Sequence, residues 1–307
     1  MGKTLVIGSA IIDICMKIGQ FPSPGQDIVA SEEIYNAGGG AMNVGFVLQA
    51  YDVPFALFAP VGNGRYGQMA REALVREGFE IVLEVDDGDN GHCFGLLDES
   101  GERTYITLPG VECSFRRAWF DRIDSRDYTR VYVGGYAMEG ESGQAILSWL
   151  EEHPELELWF APGPRITVIG PENMERMWKL HPILHLNDVE ACAYTGAATP
   201  REAARALHGL TGERVFVTRG EHGCFCCDGE ELTEVPAQQT EVVNTSGAGD
   251  AHIAGLITAF AQGMTVREAM CFANRIAASV VGRMETKYRK ESDGSCQEIS
   301  EDGEQSV

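Results

Sequence analysis

Val243-Asn244-Thr245-Ser246-Gly247-Ala248-Gly249-Asp250 is the stretch of this chain that decides its fold. It joins the end of an extended segment to a turn of small residues and one carboxylate, and the apolar run 251–257 that follows has a helical pattern. Such a turn points backbone N–H groups at one spot, where the helix dipole adds positive charge. The stretch therefore predicts an anion site with Asp250 beside it as a proton acceptor, which suits phosphoryl transfer to a hydroxyl. A purely structural helix start is the alternative.

Other short motifs occur along the chain in a fixed order. They are Ile7–Asp13, Gly38–Asn43, Val61–Gly67, Asn187–Glu190, Thr218–Gly223 and Asn274. Together with the turn they resemble the signatures of the ribokinase-like (PfkB) carbohydrate kinases, which include G-G-x-x-x-N, V-G-x-D-x-x-G, N-x-x-E, T-x-G-x-x-G and D-T-x-G-A-G-D. The resemblance extends from about residue 4 to about residue 285.

The resemblance implies an α/β fold with three α/β/α layers, a mostly parallel central sheet and a small β-sheet lid. We expect one kinase domain over residues 1–290, with lid strands within about 14–36 and 90–110. Half-buried patterns at 27–35 and at 92–108, with a hairpin turn at 99–102, agree with a one-sided sheet. In the family, this lid covers the sugar and often joins two subunits.

The alternation of elements from about residue 128 supports the same fold independently. Apolar strand patterns at 131–135, 158–161, 183–187 and 215–218 alternate with helical ones, which predicts a parallel sheet. Ligands of such sheets bind beyond the carboxyl ends of the strands. Asp13, Asn187, Thr218 and Asp250 all come at or just after predicted strand ends, so we expect one cleft to gather them.

The catalytic residues follow from the resemblance. It implies an ATP-dependent kinase that phosphorylates the hydroxymethyl group of a sugar or nucleoside, with Asp250 as general base. The backbone N–H groups of Gly247, Ala248 and Gly249 would hold the transferring phosphate. Ala at position 249 is expected to obstruct the turn through its bulk and its restricted φ. The alternative for Asp250 is stabilisation of the helix N-terminus by about 0.3–1 kcal/mol.

The substrate residues are expected on the lid side. The resemblance implies that Asp13 and Asn43 bind sugar hydroxyls, since their side chains offer acceptors and donors in pairs. Gly39 and Gly40, with Gly38 before them, would let the backbone approach the sugar. Asp13 as an ordinary turn residue is the alternative.

The remaining site residues are assigned to ATP and Mg²⁺. The resemblance places Asn187, Thr218, Gly220, Gly223 and Asn274 at the nucleotide. Glu190, together with Asn187, would position Mg²⁺ through water, because this ion keeps most of its hydration shell. A solvated helix residue is the alternative for Glu190, and Arg219 is expected either to reach a phosphate or to be merely exposed.

Three residues depart from the family pattern. Asn244 stands where the family usually has Asp near an activating monovalent cation, so K⁺ dependence is left open. Gly64 replaces the Asp of V-G-x-D, and His252 replaces a common Phe, where a second base is not expected because the helix must pack. The turn and its flanks resemble the pseudouridine kinase branch more than ribokinase itself.

Composition limits the partners. The formal net charge of −22 argues against nucleic acid or an anionic membrane as a partner, and leaves a small-molecule sugar or nucleoside with ATP, plus a homodimer through the lid. No signal peptide or membrane-spanning apolar run is found, which predicts a cytoplasmic protein. Residues 291–307 are expected to be a disordered acidic tail. The cluster Cys224–Cys227 is interpreted as reduced, mostly buried thiols, with a metal site as the alternative.

Rival functions remain to be weighed. A hydroxymethylpyrimidine or pyridoxal kinase would lack the lid strands and the Gly38–Asn43 signature. A sugar-binding sensor without catalysis would not need Asp250 and the whole glycine turn. A Rossmann dehydrogenase would need G-x-G-x-x-G after its first strand, which Gly38-Gly39-Gly40 does not provide.

Overall fold

The structure, a computed structural model, describes residues 2–99, 103–283 and 285–290. Its main sheet has eight strands in the order β12-β11-β10-β9-β8-β7-β1-β4, and the six from β10 to β4 run parallel. Their bounds are β1 Lys3–Ile7, β4 Phe55–Phe58, β7 Tyr128–Gly134, β8 Glu157–Ala161, β9 Ile183–Asn187, β10 Val215–Thr218, β11 Cys224–Asp228 and β12 Glu231–Val235. The predicted mostly parallel sheet is confirmed.

Helices cover both faces of the main sheet and produce three layers. Their bounds are α1 Gly40–Ala50, α2 Arg65–Arg76, α3 Gly140–Glu151, α4 Pro171–Trp178, α5 Asp188–Thr195, α6 Pro200–Thr211, α7 Ala248–Ala261 and α8 Val266–Val281. One core contains residues of α3, α4 and α6, and the other contains residues of α1, α7 and α8. Successive strand residues enter opposite cores: Leu5 and Ile7 belong to the first, and Val6 to the second. The expected α/β/α arrangement is therefore present.

A second, smaller sheet has four strands in the order β3-β2-β5-β6, and it is called the lid after its predicted role. Its bounds are β2 Ile11–Lys17, β3 Glu32–Gly38, β5 His92–Leu97 and β6 Arg103–Leu108. The first lid strand starts three residues before the expected limit, and residues 27–31 are irregular rather than extended. Asp13 consequently lies in the middle of β2, so the expectation that it follows a strand end was wrong. The same expectation was wrong for Asp250, because β12 ends at Val235 and the segment 236–247 is irregular.

The cysteine cluster occupies β11, next to the antiparallel edge of the main sheet. Cys226 and Cys227 are both buried and belong to opposite cores, as expected for adjacent strand residues. Both thiols are free, and burial raises the pKa of Cys226 to about 12. These thiols therefore pack as small apolar side chains, in agreement with the sequence interpretation.

Some predicted features fall outside the described residues. These are the acidic tail 291–307 and most of the hairpin turn, since positions 100–102 are not described. Within the residues that are described, no helix is long and apolar enough to cross a membrane.

Helix α2 is capped by a distant residue because Gly64, its N-cap, has no side chain. The carboxylate of Asp89 accepts from the backbone N–H of Tyr66 at 3.2 Å and of Gly67 at 2.7 Å. A Cβ built on Gly64 would collide with this carboxylate. The Asp that the motif lacks at position 64 is thus replaced in space by Asp89, which satisfies the open N–H groups of the helix.

Candidate active site

A cleft of 1720 Å³ separates the lid from the carboxyl ends of the parallel strands. Every residue predicted for the site lines it, except Gly38 and Arg219. Its lid half, next to the small sheet, contains Asp13, Gly39, Gly40, Asn43 and Asp250. Its β9–β10 half, beyond the ends of those two strands, contains Asn187, Glu190, Thr218, Gly220, Gly223 and Asn274. The turn 247–249 lies between the halves and lines the same cleft.

The turn before α7 depends on one left-handed glycine. Gly247 has φ 76°, whereas Gly249 has an ordinary φ and open space where a Cβ would stand. The expectation that restricted φ matters at Gly249 was therefore wrong, and backbone strain belongs to Gly247. Asn244 stabilises the approach to the turn, since its Oδ1 accepts from the N–H of Ser246 at 3.0 Å.

The open amides of this turn differ from the expected set by one residue. The N–H of Ala248 donates to the carbonyl oxygen of Thr245 at 3.2 Å. Among the described residues, none accepts from the N–H of Gly247, Gly249 or Asp250. These three amides at a helix N-terminus can bind an anion from the cleft.

Asp250 is held by a residue of α1. The Nδ2 of Asn43 donates to its Oδ2 at 2.9 Å, across 207 positions of sequence. Burial raises the pKa of Asp250 from 3.8 to about 6, the bond from Asn43 lowers it, and the charge of Glu190 raises it. The other oxygen, Oδ1, lies against Gly40, where a Cβ would approach it to 3.5 Å. The carboxyl group can therefore be ionised at neutral pH with one oxygen left for a ligand.

Asp13 and the glycines form the wall of the lid half. Gly39 has φ 100° and lies against the backbone of Ser9, so a side chain there has no room. A Cβ on Gly38 would come within 2.5 Å of Oδ2 of Asp13, which shows how closely this strand passes the carboxyl group. Burial raises the pKa of Asp13 to about 6. Asp13 is therefore a carboxyl group of low solvation at the wall of the cleft.

Asn187 and Glu190 form a capping box at the start of α5. Oδ1 of Asn187 accepts from the N–H of Glu190 at 2.7 Å, and Oε2 of Glu190 accepts from the N–H of Asn187 at 3.0 Å. The N-x-x-E spacing thus caps the N-terminus of α5. Burial raises the pKa of Glu190, although the bonds from Asn187 lower it. Oε1 of Glu190 accepts from no described residue, and a carboxylate oxygen facing a cleft fits a hydrated Mg²⁺.

The turn after β10 brings two left-handed glycines to the cleft. Gly220 and Gly223 have φ of 54° and 79°, and a Cβ on Gly223 would collide with backbone atoms of the segment after β12. Thr218 donates from Oγ1 to the carbonyl oxygen of Leu186 at 3.3 Å. Arg219 stacks on Phe225 and does not line the cleft, so it fits neither expectation given for it.

A chain of buried polar side chains lies below the β9–β10 half. Nδ2 of Asn274 donates to the carbonyl oxygen of Pro236 at 2.7 Å, so its Oδ1 faces Nε2 of His252 at 3.1 Å. His252 must therefore donate from Nε2 and accept at Nδ1, where Nε2 of His185 donates at 2.9 Å. Burial lowers the pKa of His252 to about 4 and that of His185 well below its usual range. Both rings are neutral, and His252 has no free nitrogen for base catalysis.

Sequence reasoning missed two tyrosines of the cleft. Tyr132 of β7 is 1% exposed and lines the lid half. Tyr105 of β6 forms a hydrogen bond through its hydroxyl with Oγ of Ser246 at 2.9 Å, which joins the lid to the turn. No motif contains either residue. Tyr132 lies two positions before the end of a parallel strand, and this placement was the only available signal.

Comparison with known proteins shows the family of the chain. The family model described as "pfkB family carbohydrate kinase" matches residues 1–292. A protein of Escherichia coli K12, named "Uncharacterized sugar kinase YegV", is 29% identical over 288 residues, which cover 91% of this chain and 88% of that protein.

Solved structures show the same fold. Ribokinase of Arabidopsis thaliana, complexed with ribose and ATP, has a TM-score of 0.77 at 20% identity, and the match covers 92% of this chain and 93% of that one. A nucleoside kinase of Burkholderia thailandensis in complex with inosine has a TM-score of 0.74 at 19% identity, with 92% of each chain covered.

Proposed function

The chain belongs to the pfkB family of carbohydrate kinases, and from this premise we propose that it transfers the γ-phosphoryl group of ATP to the hydroxymethyl group of a sugar or nucleoside, with Asp250 as general base. One observation carries the proposal. Asp250 lies within the only helix start in the described cleft that combines a left-handed glycine, open amides and a carboxylate held by a second side chain. A proton acceptor and an anion site are therefore adjacent.

In the proposed reaction, Asp250 accepts the proton of the acceptor hydroxyl as its oxygen bonds to the γ-phosphorus and the bond to ADP breaks. Asn43 donates to Oδ2, which keeps Oδ1 turned toward Gly40 and the lid half. This bond also opposes the effect of burial on the pKa of Asp250. Asn43 therefore acts in this proposal on the base, in addition to any contact with the substrate.

The phosphate groups would be bound by backbone atoms and a metal ion. The amides of Gly247, Gly249 and Asp250 face the charge that develops on the transferring group. Glu190 would hold Mg²⁺ through water, and the ion would neutralise phosphate charge when bound. Asp13 is proposed to bind acceptor hydroxyls. Thr218 and the two left-handed glycines after it would line the nucleotide.

The lid is proposed to exclude water from the reaction. In this proposal, the hydrogen bond between Tyr105 and Ser246 would hold the lid against the turn that carries Asp250. The lid also exposes large apolar side chains, namely Tyr35, Ile106 and Leu108. We propose that two copies pair through them, and a single-chain mass in sedimentation equilibrium would contradict this.

Asp250→Asn tests the proposed function. A panel of ribose, fructose, 2-keto-3-deoxy sugars, adenosine and pseudouridine is assayed for ADP release and for the phosphorylated product. With the best acceptor we expect kcat to fall about 10²–10⁴-fold, since the amide cannot accept the proton. Glu202→Gln is the matched control, because Glu202 occupies the same N3 position of α6 outside the cleft. Near-wild-type turnover by Asp250→Asn would refute the role of the base.

A further inference from the structure

The hydroxyl of Tyr132 is a polar group without a partner at the wall of the lid half. No described residue forms a hydrogen bond with it, although the side chain is 1% exposed. Two glycines leave space around this hydroxyl. A Cβ on Gly134 would lie 3.4 Å from it, and a Cβ on Gly40 would lie 3.7 Å from it. The hydroxyl therefore borders a small empty volume rather than packed side chains.

The same volume is bordered by the candidate base. The Cβ position of Gly40 that lies 3.7 Å from the Tyr132 hydroxyl lies 3.5 Å from Oδ1 of Asp250. Both groups therefore border the space beside Gly40, where a ligand oxygen would lie between them. Oδ2 of Asp250 already accepts from Asn43, so Oδ1 is the oxygen that such an atom would meet.

Burial and charge keep the proton on Tyr132. Burial raises the pKa of this phenol well above its usual value, and the charge of Asp250 raises it further. The group is therefore a hydrogen-bond donor at neutral pH. The hydroxyl is not one of the fully buried polar atoms that lack a partner, so it reaches the space of the cleft, where a ligand oxygen can accept its hydrogen bond.

We propose that the Tyr132 hydroxyl donates a hydrogen bond to the reacting hydroxyl oxygen of the acceptor. This inference rests on the proposed function. In the reaction the acceptor proton goes to Oδ1 of Asp250, the acceptor oxygen bonds to phosphorus, and ADP leaves, while Tyr132 keeps its own proton. The bond from Tyr132 fixes the direction of the acceptor O–H toward Asp250 and leaves a lone pair for the phosphorus.

Tyr132→Phe tests this role, with Tyr128→Phe as the matched control. Tyr128 is a buried tyrosine of the same strand, and it does not line the cleft. For the best acceptor of the panel we expect kcat/KM to fall about tenfold in Tyr132→Phe, with KM for ATP unchanged. Tyr128→Phe should stay within about twofold of wild type. Thermal unfolding of Tyr132→Phe should occur close to the wild-type temperature, because the variant removes a hydroxyl that bonds to no described residue.

The outcomes separate this inference from the proposed function. If Asp250→Asn is inactive and Tyr132→Phe keeps wild-type kcat/KM, the role of Tyr132 is refuted and the kinase function stands. A loss that appears only as a higher KM for ATP, or an equal loss in Tyr128→Phe, also refutes it. If the wild-type protein phosphorylates no acceptor of the panel, the proposed function fails and the inference fails with it.

Discussion

The two halves of the cleft differ in whether their polar side chains have hydrogen-bond partners within the protein. In the β9–β10 half they are bonded within the protein: Asn187 and Glu190 cap each other, and Asn274 uses both ends of its amide on His252 and Pro236. In the lid half they are left open. Oδ1 of Asn43 is buried without a partner, and Oδ1 of Asp250, the candidate base, accepts from no described residue.

This difference indicates which groups give each half its ligand specificity. A half whose side chains are mostly paired binds its ligand chiefly through backbone groups and shape, with Oε1 of Glu190 left for a metal ion, which suits the repeated phosphates of a nucleotide. A half with unpaired side chains is completed by a ligand that supplies the missing hydrogen bonds, which suits the hydroxyls of one acceptor. Changes in the lid half should therefore alter catalysis, and changes below the β9–β10 half should alter stability.

Asn43→Leu should produce the largest effect of the three changes that follow. Loss of the donor to Oδ2 raises the pKa of Asp250 above about 6, so a smaller fraction of the base is ionised at each acidic pH. We expect the acid limb of the kcat profile to move upward by about one pH unit, with roughly fivefold less activity at pH 6 and a much smaller loss at pH 8.

The control for this prediction must separate two carboxyl groups. Burial raises the pKa of Asp13 to about 6 as well, so either group can give the acid limb. Asp13→Asn removes one of them. If its acid limb stays near pH 6 while that of Asn43→Leu moves, the limb belongs to Asp250. An unmoved limb in Asn43→Leu would show that Asn43 does not act on the base.

Two glycine variants distinguish the backbone conformation of the turn from its accessibility to a phosphate in the cleft. Gly249→Ala meets no protein atom within 4 Å, so stability should be unchanged, while KM for ATP should rise about tenfold because the methyl group stands where a phosphate would bind. Gly247→Ala must adopt a left-handed φ beside Thr286, at 3.1 Å, and should lower stability by about 1–2 kcal/mol. For each variant, calorimetry measures the stability and initial rates give KM for ATP. Equal destabilisation by Gly249→Ala and Gly247→Ala would contradict the description of the turn.

His252→Phe should have the smallest effect on turnover. The variant leaves Nε2–H of His185 and Oδ1 of Asn274 without partners, so we expect a loss of stability of about 1–3 kcal/mol with kcat within about threefold of wild type. Thr258→Val is the matched control in the same helix, because its hydroxyl is buried without a partner and its loss should not destabilise the protein. A kcat that falls as far as in Asn43→Leu would contradict the expectation that changes below the β9–β10 half alter stability rather than catalysis.

Local patterns made much of the fold and part of the site predictable. The turn 243–250, the N-x-x-E motif and the strands of the main sheet each use residues close in sequence, so their physical purpose is visible in the chain. Alternation of strands and helices then fixed the parallel sheet and placed the predicted residues at one edge.

Features that depend on distant residues were not predictable. Asp13 was expected after a strand, because Gly8 indicates the end of the first strand but nothing local shows that a strand of another sheet begins at Ile11. The bond from Asn43 to Asp250 and the contact of Tyr105 with Ser246 span 207 and 141 positions. Such pairs are products of tertiary packing, and a single sequence contains no periodicity or motif for them.

At the cap of α2, a carboxylate from either of two sequence positions would occupy the same space. Gly64 leaves the space that the carboxylate of Asp89 fills, so Asp at position 64 and Asp at position 89 exclude each other. A lineage that exchanges one arrangement for the other must pass through a chain with two crowded carboxylates or with an uncapped helix. Both intermediates are less stable than either end point, so the order of substitutions is constrained although the final helix is the same.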